Sequence, residues 1–285
     1  MDDWRLTQTY RSSAGEVRWD RLGPAGAPPI VLLHGTPFSS YVWRAVAAVL
    51  TRDYEVFVWD MPGYGQSEQS PGQDVSLRAQ GRLFADLLGH WGLTEPTVIA
   101  HDVGGAVALR ASLLHAVRYR RLVLVDPVAL RPWGGPFFRL ARDNAAVFEQ
   151  LPGPLHRALV RAYIAEASSP GLAESVLDRL VEPWLGTHGQ PAYYRQIAQL
   201  DERDTDEIQD RYGSITIPVL VCWGMDDAWL PWTLGQELAA AIPNARFDRI
   251  DGAGHLVQED APAALIQLIE AFLRETAVDA GTRSS

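Results

Sequence analysis

Asp102 stands where a carboxylate can act as a nucleophile. It lies in the run Thr97-Val98-Ile99-Ala100-His101-Asp102-Val103-Gly104-Gly105. A β-branched apolar stretch enters, the helix formers Ala106 to Arg110 leave, and small residues, Ala100 and Gly104, flank the Asp two positions to either side. That pattern describes a strand, a sharp turn and a helix, with the small residues needed where backbones pack closely. A carboxylate is ionised at neutral pH. It can attack an sp3 carbon directly and form an alkyl ester, whereas a Ser in its place would need a base to remove its proton.

The elements around this turn alternate. Residues 5–10 and 16–21 read as an antiparallel hairpin across Ser12-Ser13-Ala14-Gly15, and 30–33 as a wholly apolar strand that ends at His34-Gly35-Thr36-Pro37. A helix over about 41–50, a strand at 54–59, a turn-rich loop at 60–67 and a helix at 76–91 follow. After the Asp102 turn and its helix, which ends near Ala116, comes a strand at 122–125 closing on Asp126-Pro127. From 128 to about 213 only helical patterns occur, at 137–151, 155–167, 172–185 and 192–212, broken at Pro152-Gly153-Pro154, Pro170-Gly171 and 186–189. Alternation resumes with a strand at 217–223, a helix at 232–242, a strand at 247–250 and a helix from 262 to about 276, before a polar tail at 278–285. The expectation is an α/β fold: a core formed by 1–127 and 214–285, its parallel sheet covered on both faces, and a helical lid at 128–213 roofing an apolar, water-poor pocket above Asp102.

Four motifs resemble those of the α/β-hydrolases with an Asp nucleophile, the branch that contains epoxide hydrolases and haloalkane dehalogenases. His34-Gly35-Thr36-Pro37 resembles the oxyanion-hole loop and His101-Asp102-Val103-Gly104-Gly105 the nucleophile turn. Gly224-Met225-Asp226-Asp227-Ala228-Trp229-Leu230-Pro231 resembles the acid loop, and Gly252-Ala253-Gly254-His255 the histidine loop. The order nucleophile, acid, histidine is that of the same superfamily. The resemblance implies a mostly parallel eight-stranded sheet with an inserted helical lid. It also implies that His255, oriented by Asp227, activates the water that hydrolyses the Asp102 ester while the backbone N–H groups of Thr36 and Val103 hold the oxyanion. Asp226 and Asp126 are the other carboxylates available to orient the imidazole.

Within the branch, the resemblance of Pro191-Ala192-Tyr193-Tyr194-Arg195 to the lid segment of epoxide hydrolases maps their proton-donating Tyr onto Tyr194, with Tyr163 as the second lid Tyr. A dehalogenase of the branch usually cradles its halide with a Trp after the nucleophile and an Asn in the oxyanion loop. Val103 and Thr36 occupy those positions and offer no side-chain N–H. Epoxide opening to a diol therefore leads, hydrolytic dehalogenation is the alternative, and ester hydrolysis is weaker because an Asp attacking an acyl carbon would give an anhydride. A hydrolase-like ligand-binding protein would have no reason to keep all three residues. Trp133, Phe137, Trp184 and Tyr193 are expected to line the pocket, which suggests a bulky apolar or aromatic substrate.

Composition excludes other classes. The chain has 285 residues, 47% of them apolar, and a net charge of −10 with no basic cluster, so nucleic acid and anionic membranes are poor partners. All 25 basic residues are Arg, which removes Lys Schiff-base chemistry and a P-loop Lys. Cys222 is a lone cysteine in an apolar run, no metal-ligand spacing occurs, and neither a signal pattern nor a spanning apolar run is present. The expectation is a cytoplasmic monomer or homodimer that acts on a small molecule, with no cofactor and no metal.

Overall fold

The structure, a computed structural model, describes residues 4–282, with side chains as far as 276. Among them eight strands form one sheet in the order β1-β2-β4-β3-β5-β6-β7-β8. β1 (Gln8–Ser12) and β2 (Gly15–Leu22) make the expected hairpin, and β2 runs antiparallel to β4 (Glu55–Trp59). β3 (Pro29–Leu33), β5 (Thr97–His101), β6 (Arg121–Val125), β7 (Val219–Gly224) and β8 (Ala245–Ile250) complete the parallel part. Every residue of β4, β5, β6 and β7 is buried, as strands covered on both faces must be. The covering helices pack in pairs, α1 (Arg44–Leu50) with the C-terminal helix and α2 (Leu77–His90) with α3 (Val103–Leu114).

Strand order decides where a site can form. β4 lies on one side of β3 and β5 on the other, so the chain reverses direction across the sheet at β3. The loops that leave the carboxyl ends of β3 and β5 diverge there and open a crevice. Residues 34–37 follow β3, and the Asp102 turn follows β5.

Between β6 and β7 the chain forms α4 (Pro136–Asp143), α5 (Ala145–Phe148), α6 (Gly153–Glu166), α7 (Glu174–Val181), α8 (Gly186–Gln199) and α9 (Arg203–Gln209). Three expectations are corrected in this segment. The helix read over 137–151 is two helices split at Asn144, the helix read over 192–212 is interrupted between Gln199 and Arg203, and residues 186–189, read as a break, are the first turn of α8. Glycine is present there for packing: a Cβ on Gly189 would lie 2.4 Å from Pro183 O. After β7 come α10 (Thr233–Ala241), β8, α11 (Val257–Asp260) and α12 (Pro262–Thr282). The expected polar tail is thus helical through Thr282, and 283–285 lie outside the described residues. No helix among the described residues is long and apolar enough to cross a membrane.

Candidate active site

Asp102 follows the last residue of β5 with φ 52° and ψ −125°, a left-handed backbone that is costly for a residue with a side chain. Three backbone bonds hold it there. Its N–H donates to Val125 O at 3.2 Å, and its carbonyl accepts from Gly105 N at 2.8 Å and Val128 N at 3.0 Å. The glycines around it are steric necessities: a Cβ on Gly35 would fall 2.4 Å from the Asp102 Cβ, and one on Gly104 would fall 2.5 Å from His34 O. His34 braces the loop after β3, accepting Met61 N–H on Nε2 at 2.9 Å and donating from Nδ1 to Gly35 O at 2.9 Å. The Thr36 N–H then reaches Asp102 Oδ2 at 3.3 Å.

His255 arrives from the loop after β8. Its Nδ1 donates to Asp227 Oδ2 at 2.8 Å, and its Nε2 lies 3.5 Å from Asp102 Oδ2. Asp227 is aimed by its own loop, Oδ1 accepting the N–H groups of Trp229 at 2.8 Å and Leu230 at 2.9 Å. His101, beneath the turn, donates from Nε2 to His255 O at 2.9 Å. Asp102 and His255 are 3% and 1% exposed, so their charges interact in a medium poor in water. Burial pushes the Asp102 carboxyl up, while His255 and the N–H groups of Thr36 and Val103 draw it back; the balance remains above the usual carboxylate value. Burial alone would lower the His255 imidazole, but Asp227 and Asp102 outweigh it and hold the imidazole well above its ordinary value.

Over Asp102 lies a cavity of about 30 Å3, room for roughly two waters. Its walls are Thr36, Val103, Val128, Trp133, Gly134, Gly135, Phe138, Tyr163, Leu200, Trp229 and Leu230, closing on Asp102 and His255. No charged side chain besides those two lines it. A larger concavity of about 980 Å3 lies away from Asp102, along the β1–β2 turn and α2, and is polar.

The sequence signature described as alpha/beta hydrolase fold matches residues 28–262. This chain belongs to the α/β-hydrolase family. An α/β-hydrolase-fold protein of Burkholderia ambifaria, known as a crystal structure, is 45% identical, with 93% of this chain and 97% of that one covered at a TM-score of 0.90. Among curated relatives, haloalkane dehalogenase 2 of Mycobacterium tuberculosis is 26% identical, with 90% of this chain and 93% of that one covered. A 2-hydroxy-6-oxononadienedioate/2-hydroxy-6-oxononatrienedioate hydrolase of Cupriavidus pinatubonensis is 24% identical, over 87% of this chain and 88% of that one.

In this hydrolase the residues singled out from the sequence are only partly brought together. Asp102, His255, Asp227, Thr36, Val103, Tyr163 and Trp133 meet around the cavity. Tyr194 does not: its hydroxyl is 2.8 Å from Nδ1 of the buried His156. His156 must donate from Nε2 to Trp184 O at 2.7 Å, so Nδ1 is an acceptor and the Tyr194 proton is committed to it. His156, which has no partner apparent in the sequence, is thus fully paired. Trp184 is also turned away, its Nε1 donating to Pro37 O at 2.7 Å, and Trp133, though in the wall, donates from Nε1 to Thr205 Oγ1 at 3.0 Å. Phe137 lies behind the wall against the Tyr163 ring, with centroids 4.8 Å apart, and Phe138 takes the position expected of it. Tyr193 is buried behind Trp184 and His156, and its hydroxyl finds no partner among the described residues.

Two residues were missed. Trp229, two positions after Asp227, lines the cavity, stacks on Tyr163 at 4.4 Å and leaves a buried indole N–H with no partner among the described residues. Its place in the acid loop was a usable signal. Gln196 of α8 accepts the Thr36 hydroxyl at 2.7 Å and the Tyr64 hydroxyl at 3.1 Å, fastening the helical segment to the loop after β3. Nothing local marked it. Asp126, Asp227 and His255 also bring potential metal-ligand atoms within 4.8 Å of one another. The Nδ1 to Oδ2 bond already spends two of those atoms on each other, which makes this a proton-sharing group.

Proposed function

We propose that this hydrolase opens an epoxide to a vicinal diol through a covalent ester on Asp102, with the helices between β6 and β7 acting as the lid over the reaction. Tyr163 carries the reading. It is the tyrosine of the cavity wall, which it shares with Asp102 and His255. Burial first, then the charge of Asp102, raises its phenol, so it is a protonated donor beside the nucleophile. Asp102 attacks a ring carbon, the C–O bond breaks, and the alkoxide meets the Tyr163 O–H.

The protons balance through His255. With Asp102 and Asp227 both anionic, His255 is held protonated. Ester formation removes the Asp102 charge, His255 gives up a proton, and the alkoxide, through Tyr163, consumes one. Neutral His255 then takes a proton from water, the hydroxide attacks the ester carbonyl, and the Thr36 and Val103 N–H groups hold the oxyanion. Collapse releases the diol, restores the carboxylate and leaves His255 protonated again.

Hydrolytic dehalogenation is the second reading, favoured by the unpaired indole N–H of Trp229 in the wall and by the similarity to a haloalkane dehalogenase. The N–H groups of Trp133 and Trp184 are committed elsewhere, which leaves the Trp229 indole as the one unpartnered N–H of the wall's tryptophans. The test supplies terminal epoxides and 1-haloalkanes separately and follows diol and halide ion. Diol formation that falls roughly 10- to 100-fold in Tyr163→Phe, the loss of a hydrogen bond worth about 1.5–3 kcal/mol to a charged oxygen, supports the epoxide reading. Halide release with no diol, unaffected by Tyr163→Phe, supports the other.

A further inference from the structure

Behind the His255–Asp227 pair lies a carboxyl group with no part in the steps above. Asp126 follows the last residue of β6, is fully buried, and is held at φ 43° by an N–H bond to Cys222 O at 3.0 Å. Its Oδ1 accepts the Gly224 N–H at 2.9 Å. Its Oδ2 is buried with no partner among the described residues. Carboxyl oxygens of Asp126 and Asp227 and a ring nitrogen of His255 lie within 4.8 Å of one another. The other titratable group nearby is the uncharged thiol of Cys222, and Asp102 lies beyond His255.

Two carboxylates at this distance in a buried site do not both keep their charge while only one imidazolium faces them. Asp227 has an imidazole partner and two backbone N–H donors, whereas Asp126 has one backbone donor and an orphaned oxygen. The charge therefore belongs on Asp227 and the proton on Asp126, which turns the orphaned oxygen into a donor. We propose that Asp126 is a positioning residue, an uncharged carboxylic acid whose Oδ2–H donates to Asp227 and fixes that carboxylate against His255 Nδ1. Burial, and then the charge of Asp227, push the Asp126 carboxyl in the same direction. The proposal rests on the Asp227–His255 pairing of the reading above but on no substrate, so it is tested in the resting protein.

In Asp126→Asn, an amide N–H replaces the O–H and the amide oxygen keeps Gly224, with no change of charge. The NMR titration midpoint of His255 should then move by less than about 0.3 unit from wild type, and a low-field Nδ1–H resonance of His255 should persist; Asp126→Ala should lose that resonance or shift it upfield. Were Asp126 ionised, removing a negative charge within 4.8 Å of the ring would lower the midpoint by roughly one unit or more, and that result overturns the proposal. Stability supplies a second readout. A carboxyl raised in the fold contributes stability that is lost as pH climbs from the unfolded value of about 3.9 toward the folded one. The urea midpoint of Asp126→Asn should therefore pull ahead of wild type between about pH 5 and pH 8. A gap that stays flat or reverses contradicts an uncharged Asp126.

Discussion

In the proposed reaction His255 serves opposite needs in the two halves, and one charge on Asp102 decides which state it takes. In the resting site the imidazole is raised well above its ordinary value by Asp227 and Asp102. As a base it must be neutral, which the ester permits because Asp102 no longer carries charge. Acid should accordingly act on the two steps differently. As pH falls through the His255 value of the ester state, the ring stays protonated and water attack stops, while alkylation continues until Asp102 itself protonates. Rapid quenching across pH should show turnover lost before the alkylation burst, with ester accumulating in the acid limb. Burst and turnover disappearing together would contradict the scheme. The candidate site was partly legible: Asp102, Asp227 and His255, which the structure brings together, sit in short loops whose neighbours mark them locally. Phe138 rather than Phe137 lines the cavity because adjacent residues of a helix point about 100° apart, and which one meets the cavity depends on how the helix docks, while Tyr194 is held away by the buried His156 of another helix. Sequence periodicity does not carry that phase.

At the scale of elements, the strand–turn–helix of β5, Asp102 and α3 imposes strain that its surroundings must repay. The Asp102 backbone bonds and the bare glycines at 35 and 104 do so. Gly104→Ala would drive a Cβ to 2.5 Å from the carbonyl of His34, a backbone atom with little freedom to move. It should cost about 1–3 kcal/mol in urea unfolding and displace the Thr36 N–H from the oxyanion position, so activity should fall further than stability implies. Equal stability and activity to wild type would show that the turn is slack. Strands and core helices were readable because continuous apolar runs and regular alternation are local signals. The helices between β6 and β7 were read less well. Gly186–Gly189 resembled a break, yet Gly189 is there to let the helix pass against Pro183 O, a contact between elements that composition cannot reveal.

For the whole molecule, the consequence is a site narrowed by its own insertion. Trp184 Nε1 on Pro37 O, and Gln196 on Thr36 and Tyr64, fasten the helical segment to the loop after β3, leaving about 30 Å3 above Asp102. The aromatic content of that segment suggested a bulky substrate, but those rings fill the space themselves. With an uncharged wall and little free volume, small neutral substrates should be preferred. Across a series of terminal epoxides, kcat/KM should fall as the alkyl substituent lengthens, and an epoxide bearing a carboxylate should be a poor substrate; preference for long or anionic substrates would require a different closed state. The central claim is covalent chemistry on Asp102, and mass spectrometry of a trapped ester tests it most directly. His255→Gln, incubated with a small terminal epoxide and digested with trypsin, should yield peptide 83–110 heavier by the mass of the epoxide, with the modification on Asp102 and almost no diol released. Full turnover without an adduct, or an adduct on another residue, would contradict the account.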